Sequence, residues 1–315
     1  MRCDTHVHVW DCATRDHSWL AAEDPSLRRR FDLEDYVGDA HPGADDRVVL
    51  VQVLADLDET VETLESARRS ALVAGVVGWV DLEAPDVEEC LDRLLAGPGG
   101  DALVGLRHLV QSEPDPAWLV RPTVLRGLRA LGRAGLSYDL LVRPPQLEAA
   151  IDVVGRLADL QFVLDHAAKP DIATGATGEW QRRIAELARH ENVVCKVSGL
   201  VSVAGPGWTV EQVRPYVERL VEAFGPDRLV FGSDWPVCTA EASFDEVVEL
   251  AVTTLGSLSP AELDAVFSSN ALRAYPRCVV QGSAQPGSAQ PGSAQTGSAQ
   301  PGSARSGSGT PASGT

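Results

Sequence analysis

Eight short runs rich in β-branched residues recur along the chain, at intervals that leave room for a helix between each pair. They are RCDTHVHVW (2–10), RVVLVQV (47–53), AGVVGWVDL (74–82), LVGLRHLV (103–110), LSYDLLV (136–142), QFVLDHAA (161–168), NVVCKVSG (192–199) and RLVFGSDW (228–235). Between them lie segments with apolar residues three and four apart, among them 58–72, 86–96, 122–134, 145–157, 180–191 and 210–225. Strands that are apolar almost throughout need cover on both faces, and strands joined through helices run parallel. The alternation predicts an α/β fold, a (β/α)8 TIM barrel. An open doubly wound sheet shares the alternation but usually opens on a glycine-rich turn, and no G-x-G-x-x-G follows the first run.

Residues 1–280 carry this pattern, a length in keeping with such a barrel. The stretch 11–46, rich in Asp, Arg and Pro, is a long first connection and is predicted to reach over the site. From 281 to 315 the chain repeats GSAQP-like units with no aliphatic residue larger than alanine. Such a segment cannot bury enough apolar surface to offset its ordering entropy, and it is predicted to be a disordered C-terminal tail.

The formal charge is -18, and the only charge in the tail is Arg305, so the barrel carries the acidity. An acidic surface repels phosphate backbones and anionic lipid, which predicts no nucleic-acid and no membrane partner. The charged first strand leaves no room for a secretory leader, and no apolar run approaches a membrane span. A cytoplasmic protein is expected. Its six cysteines (Cys3, Cys12, Cys90, Cys195, Cys238 and Cys278) form no C-x-x-C pair and read as reduced thiols. Among 27 basic residues only Lys169 and Lys196 are lysines, so each is a candidate for a place that needs a compact ammonium.

In a barrel of this kind reactive groups gather at the carboxyl ends of the strands. Those ends carry His6 and His8 on the first strand, Asp81 on the third, Arg107 and His108 on the fourth, and Tyr138 and Asp139 on the fifth. The sixth offers Asp165 and His166 with Lys169 just beyond, the seventh Lys196 and Ser198, and the eighth Ser233, Asp234 and Trp235. Strict alternation would put Asp4, His6 and His8 on one face. Asp81, Asp139 and Asp165 read individually as caps for the helices that follow. His6, His8, His166 and Asp234 read differently, as one constellation from three strands. His17, His41 and His190 fall in loops or on a helix face and read as solvated. By position alone, Arg107, His108, Tyr138 and Lys196 are candidate substrate contacts, with Trp10, Trp79 and Trp235 as stacking walls.

The motifs DTHVHVWD, GVVGWVDL, GLRHLVQSEPDPAWL, YDLLVRPPQL, FVLDHAAKP, VVCKVSGL and FGSDWPVC, in that order, resemble the amidohydrolase superfamily (amidohydrolase-2 type). Within it they resemble the branch of sugar-lactone hydrolases typified by L-fuconolactonase. The resemblance runs from the first strand to SSNALRAY (268–275) and stops before the tail. It implies that His6, His8, His166 and Asp234 surround a reacting carbonyl. The mechanism expected for that arrangement has Asp234 as the base that takes a proton from water and the histidines holding the oxyanion. Metal-rich members of the superfamily add a carboxylated lysine or glutamate on the fourth strand and a histidine on the fifth. Here those strands offer Arg107 with His108 and Tyr138 with Asp139, so a two-metal site is not expected. The cofactor expectation is none required, or one divalent metal (Zn or Mn) held by His6, His8, His166 and Asp234. The partner expected is a small-molecule sugar lactone; no sequence feature bears on oligomeric state. Competing readings are a metal-dependent decarboxylase or amide hydrolase of the same superfamily, a pyrone dicarboxylate lactone hydrolase, a Schiff-base lyase using Lys169 or Lys196, and a non-catalytic binder of sugar acids.

Overall fold

A computed structural model describes residues 1–22 and 24–278; the tail expected at 281–315 lies outside the described residues. Eight parallel strands form one sheet in sequence order: β1 (Cys3–Val7), β2 (Arg47–Val51), β3 (Val73–Gly78), β4 (Leu103–His108), β5 (Ser137–Leu140), β6 (Phe162–Leu164), β7 (Val193–Val197) and β8 (Leu229–Phe231). The sheet closes on itself just past β8, where His8 N donates to Trp235 O at 2.7 Å and Asp234 N to His6 O at 2.9 Å. Thr5 Oγ1 adds a bond across the same seam to Phe231 O at 2.6 Å. The expected TIM barrel is what the chain forms.

The helices are α1 (Leu33–Ala40), α2 (Leu57–Arg68), α3 (Val87–Ala96), α4 (Pro122–Arg133), α5 (Leu147–Arg156), α6 (Gly178–Leu187), α7 (Leu200–Ala204), α8 (Val210–Phe224), α9 (Phe244–Thr254), α10 (Pro260–Phe267) and α11 (Ala271–Ala274). Several begin on reciprocal caps that satisfy otherwise orphaned amides: Asp32 with Asp35, Thr209 with Gln212, Ser243 with Glu246 and Ser259 with Glu262.

The strands divide their side chains between two cores. Val48, Leu50, Val76, Leu106, Leu140, Phe162, Leu164, Leu229 and Phe231 belong to the large core shared with the helices. Val49, Val51, Val77, Val163, Val194 and Val230 form a second core with Cys3, Ala271, Ala274, Tyr275 and Cys278. This inner layer is closed at the amino ends of the strands by α11, since Ser137 Oγ donates to Ala274 O at 2.7 Å and Arg277 Nε to Leu103 O at 3.1 Å. The barrel is therefore plugged below and polar above.

Two expectations fail on strand geometry. Asp4 pairs with Val48 and Val7 with Leu50, so three steps along β1 match two along β2. The extra residue is a bulge, and it breaks the alternation that would align Asp4 with His6 and His8. The Asp4 carboxylate instead accepts from Tyr36 Oη at 3.2 Å, from Ser233 N at 2.8 Å and from His6 N at 3.2 Å, tying β1 to α1 and β8. Tyr138, expected at the substrate, is fully buried in the outer core and meets Phe162 edge-on at 6.2 Å. Because side chains alternate along β5, placing Asp139 in the lumen sends Tyr138 to the helix side.

Tyr275 joins the apolar plug to the polar tier above it: its buried hydroxyl donates to Asp139 Oδ2 at 2.7 Å. Tyr275→Phe should lower the unfolding free energy by about 1.5–3 kcal/mol, the range for hydrogen bonds to charged groups, read as a lower denaturant midpoint. An unchanged midpoint would remove the hydroxyl from the account of the plug.

Candidate active site

Above the apolar layer lies a tier of buried charge. Lys196, with no exposed surface, places Nζ 2.6 Å from Asp139 Oδ2, 2.9 Å from Asp165 Oδ1 and 3.0 Å from His6 Nδ1. Arg107 places Nη1 3.1 Å from Asp165 Oδ2 and 3.1 Å from His6 Nε2, and its Nη2 donates to the Gln52 carbonyl and, at 3.1 Å, to Gln52 Oε1. Two cations thus balance two carboxylates away from water, the condition for burying charge at all. Burial by itself would raise the Asp165 carboxyl, but Lys196, His6 and Arg107 hold it well below the usual range. Asp139 and Asp165 are therefore not helix caps. Asp81 is a local turn residue, its Oδ1 accepting from Glu83 N at 2.9 Å.

On this tier stand three imidazoles and one carboxylate. Asp234 Oδ1 lies 3.7 Å from His6 Nε2, 3.5 Å from His8 Nε2 and 3.8 Å from His166 Nε2. The His8 Nδ1–Val51 O contact is 2.7 Å, and because a carbonyl only accepts, Nδ1 carries the proton. In neutral His8 the Nε2 lone pair then points inward, 3.1 Å from His6 Nε2. His6 meets a cation on each ring edge, and burial with Lys196 drives its pKa well below the ordinary imidazole value. Burial likewise lowers His166 to about 4 despite the opposing pull of Asp234. Burial would raise Asp234, yet His166, His8 and His6 together hold it well below the usual carboxylate range. Neutral pH therefore finds an ionised Asp234 facing neutral His6 and His166.

Backbone strain aims these groups. His166, Ala167, Ala168 and Lys169 all have positive φ (50°, 52°, 60° and 49°), a left-handed turn without a glycine, and Asp234 has φ 62°. His166 Nδ1 sits 2.8 Å from Ser198 Oγ. Gly199, itself at φ 62°, makes room: a Cβ there would lie 2.6 Å from His166 Nδ1 and 3.1 Å from Asp234 Oδ2.

The donor set suits one divalent cation. His6, His8 and Asp234 form one cluster of ligand-type atoms within 4.8 Å of one another, and His8 has the outer hydrogen bond that fixes a metal-binding tautomer. A second cluster, His6, Asp165 and His166, shares its Asp165 with Lys196 and Arg107, so cationic side chains already serve that carboxylate.

A family profile described as amidohydrolase matches residues 3–277. The chain belongs to the amidohydrolase family. It is 37% identical over 294 residues to L-fucono-1,5-lactonase of Burkholderia multivorans, covering 87% of this chain and 96% of the relative. L-fucono-1,5-lactonase of Burkholderia ambifaria is 36% identical over 245 residues, or 78% and 83% of the two chains. A solved structure of an amidohydrolase from Burkholderia multivorans with bound zinc matches with TM-score 0.81 at 36% identity, covering 88% of this chain and 99% of that one. Among the described residues of this amidohydrolase, no helix is long and apolar enough to cross a membrane.

A cavity of about 170 Å³ opens onto the cluster, lined by His8, His166, Asp234, Arg107, Lys169, Trp19, Gln111, Ser112, Val53, Leu109, Leu141 and Val237. Of the substrate contacts expected from sequence, Arg107 lines it. The others lie elsewhere. The three nearest partners of Lys196 are protein atoms, so the expected role of its ammonium as a ligand for substrate is replaced by the buried network. Both ring nitrogens of His108 are engaged, Nδ1 by Trp79 Nε1 at 3.0 Å and Nε2 by Glu113 at 2.8 Å, and its ring stacks on Trp118 at 4.2 Å. That pair of bonds also removes Trp79 from the cavity wall. Trp235 is fully buried against Phe31 and Tyr36, with Nε1 donating to Asp39 at 2.9 Å. Trp10 packs between Trp19 and Phe31 and lines a neighbouring cleft with Asp11, Arg15 and His17; that histidine is buried, not solvated. Polar wall residues that the sequence reading did not single out are Trp19, Gln111 and Ser112, all in connections between strands and helices, where no periodicity marks them.

Gly199→Ala should leave the fold in place, since the nearest atoms its Cβ would meet belong to the side chains of His166 and Asp234, and should cut turnover by at least tenfold by displacing His166. Far-ultraviolet circular dichroism beside steady-state rates checks this; full activity would show that the His166 position is not tightly required. Elemental analysis after zinc or manganese loading should find about one ion per chain. Two ions would mean that Lys196 leaves its carboxylates.

Proposed function

We propose that the chain hydrolyses the lactone of a sugar acid. The observation that carries this reading is the single carboxylate, Asp234, held ionised among His6, His8 and His166 in a cavity that retains only one cation, Lys169, without a protein partner among the described residues. The L-fucono-1,5-lactonases of the two Burkholderia species support the substrate class.

In this reading Asp234 accepts a proton from water as the water oxygen attacks the lactone carbonyl. Arg107 Nε, which has no hydrogen-bond partner among the described residues, and His166 Nε2 are the donors available to the oxygen that gains charge. Collapse of the tetrahedral species breaks the bond to the ring oxygen, and the proton held by Asp234 passes to that oxygen, giving a hydroxy acid. His8 takes no donor part when neutral, because its one proton is committed to Val51 O. A divalent ion, held by His6, His8 and Asp234, would polarise the carbonyl and acidify water. A lactone needs less of that help than an amide, since its electrophile is an ester and its leaving group an alkoxide. A pyrone dicarboxylate fits less well: Arg107 and Lys196 are already neutralised by Asp165 and Asp139.

A pH-indicator screen over five- and six-membered sugar lactones, with and without chelator, tests the reading, and absence of turnover across the panel overturns it. Asp234→Asn should fold and lose roughly 10²–10⁴-fold in kcat. On the best substrate kcat/KM should show no break near the ordinary imidazole value of ~6.5, because burial holds His166 at about 4 and so neutral above it. An acid limb near 6.5 would show that His166 is not held neutral.

A further inference from the structure

The cavity that opens onto the histidine cluster is lined by side chains whose polar atoms nothing among the described residues answers. Trp19 Nε1 and Gln111 Oε1 are both buried and have no hydrogen-bond partner among the described residues, and each side chain lines the cavity. Buried polar atoms of this kind are rare enough in folded proteins to need an explanation. An indole N–H can only donate and an amide oxygen can only accept. A hydroxyl group does both, so a ligand bearing several hydroxyls satisfies the two atoms where an apolar ring cannot.

Lys169 lines the same cavity. Its backbone N–H bonds to His166 O at 2.8 Å, but its ammonium has no hydrogen bond or ion pair among the described residues. The contrast with Lys196, whose ammonium touches Asp139, Asp165 and His6, separates a cation built into the fold from one left for a ligand. The left-handed turn 166–169 that presents His166 also presents Lys169, so the two enter the cavity from one rigid, strained segment. An ammonium gains little from a neutral lactone and much from a carboxylate, which is the charge that ring opening creates.

We infer that Trp19, Gln111 and Lys169 form the substrate-reading wall, the first two taking hydroxyls of a polyhydroxylated neutral lactone and the ammonium receiving the carboxylate as it forms. This rests on the lactone-hydrolase reading for the reaction, but not for the binding of the acid. The step is the hydrolysis already written: water adds at the carbonyl, the ring C–O bond breaks, the proton carried by Asp234 goes to the leaving oxygen, and the second proton of the water is lost to solvent as the new acid ionises, leaving the carboxylate to face Lys169.

Two measurements test it. Calorimetric titration with a panel of aldonates, gluconate and galactonate included, should show binding to the wild type, weakened about tenfold or more in Lys169→Met and partly restored in Lys169→Arg. Rates on a hydroxylated sugar δ-lactone and on δ-valerolactone, which has no hydroxyls, should diverge in Trp19→Phe and Gln111→Leu. Those variants should lose about tenfold in kcat/KM on the sugar lactone and stay within about threefold of wild type on valerolactone. Equal losses on both lactones would make the wall structural, and wild-type-like acid binding by Lys169→Met, or no aldonate binding by wild type, would overturn the role of the ammonium. A wild type that turns over no lactone defeats the hydrolase reading instead, and the titrations still decide Lys169.

Discussion

The ion pairs of Lys196 with Asp139 and Asp165 hold the upper half of the barrel in place. Two carboxylates without exposed surface sit on adjacent strands, β5 and at the end of β6, and without a cation between them they would repel and take up protons. Lys196 from β7 supplies that cation, and Arg107 from β4 supplies the second. The consequence reaches the reaction centre through His6. Its Nδ1 faces the ammonium and its Nε2 faces the guanidinium, so the ring is kept neutral and its orientation is set by groups that cannot move without exposing charge. Removing one member of such a buried set typically costs about 3–5 kcal/mol, because the partner is left charged and unpaired. The tier is rigid for that reason, and rigidity is what a cluster of three imidazoles around one carboxylate oxygen requires.

Strain is the second constraint, and it depends on the first. Four consecutive non-glycine residues, 166–169, hold positive φ, and Asp234 does the same across the barrel mouth. Each such residue is disfavoured by order 1–3 kcal/mol and persists only where its surroundings over-determine it. Here they do: Asp165, just before the turn, is anchored by two cations, and Asp234 N is bonded to His6 O at the seam that closes the barrel. Gly199 and Gly232 leave the lateral room, since a Cβ on Gly232 would come within 2.7 Å of His6 Cβ. Anchored ends and cleared sides explain why bulky, strained side chains can converge where strand geometry alone would keep them apart.

Much of this was legible in the amino-acid order, and the failures have physical causes. Alternation of β-branched runs with three- and four-spaced segments marks all eight strands, because burial on both faces leaves a strong compositional trace. The pairing of His6 and His8 is legible from their spacing of two, but the place of Asp4 is not, because β1 shifts register between Asp4 and Val7 and the Asp4 carboxylate bonds to Ser233, 229 residues away along the chain. Tyr138 and Asp139 are adjacent, so one must face out, and only the partner Lys196 decides which. His108 and Trp235 lie at strand ends like the true cavity residues, yet Trp79, Glu113 and Asp39 capture them from other connections. Trp19 is invisible in the sequence for the opposite reason: it belongs to the long loop after β1, and the site uses it through tertiary approach rather than through any repeat.

Charge accounting links the fold to the kind of molecule the site admits. Every cation that faces the lumen below the mouth is spent on a carboxylate of the protein itself, Lys196 on Asp139 and Asp165, Arg107 on Asp165. At the mouth one ammonium, Lys169, stands against one ionised carboxylate, Asp234, and the cavity is close to neutral before anything binds. A substrate that arrives with two or three negative charges would meet Asp234 with too few partners, and desolvating it would oppose binding. A neutral ring meets no such barrier. Under the lactone hydrolysis proposed above, ring opening would place a new negative charge in a cavity that already holds the ionised Asp234. Repulsion between those two carboxylates would then favour release of the acid, whereas the neutral lactone meets none on entry.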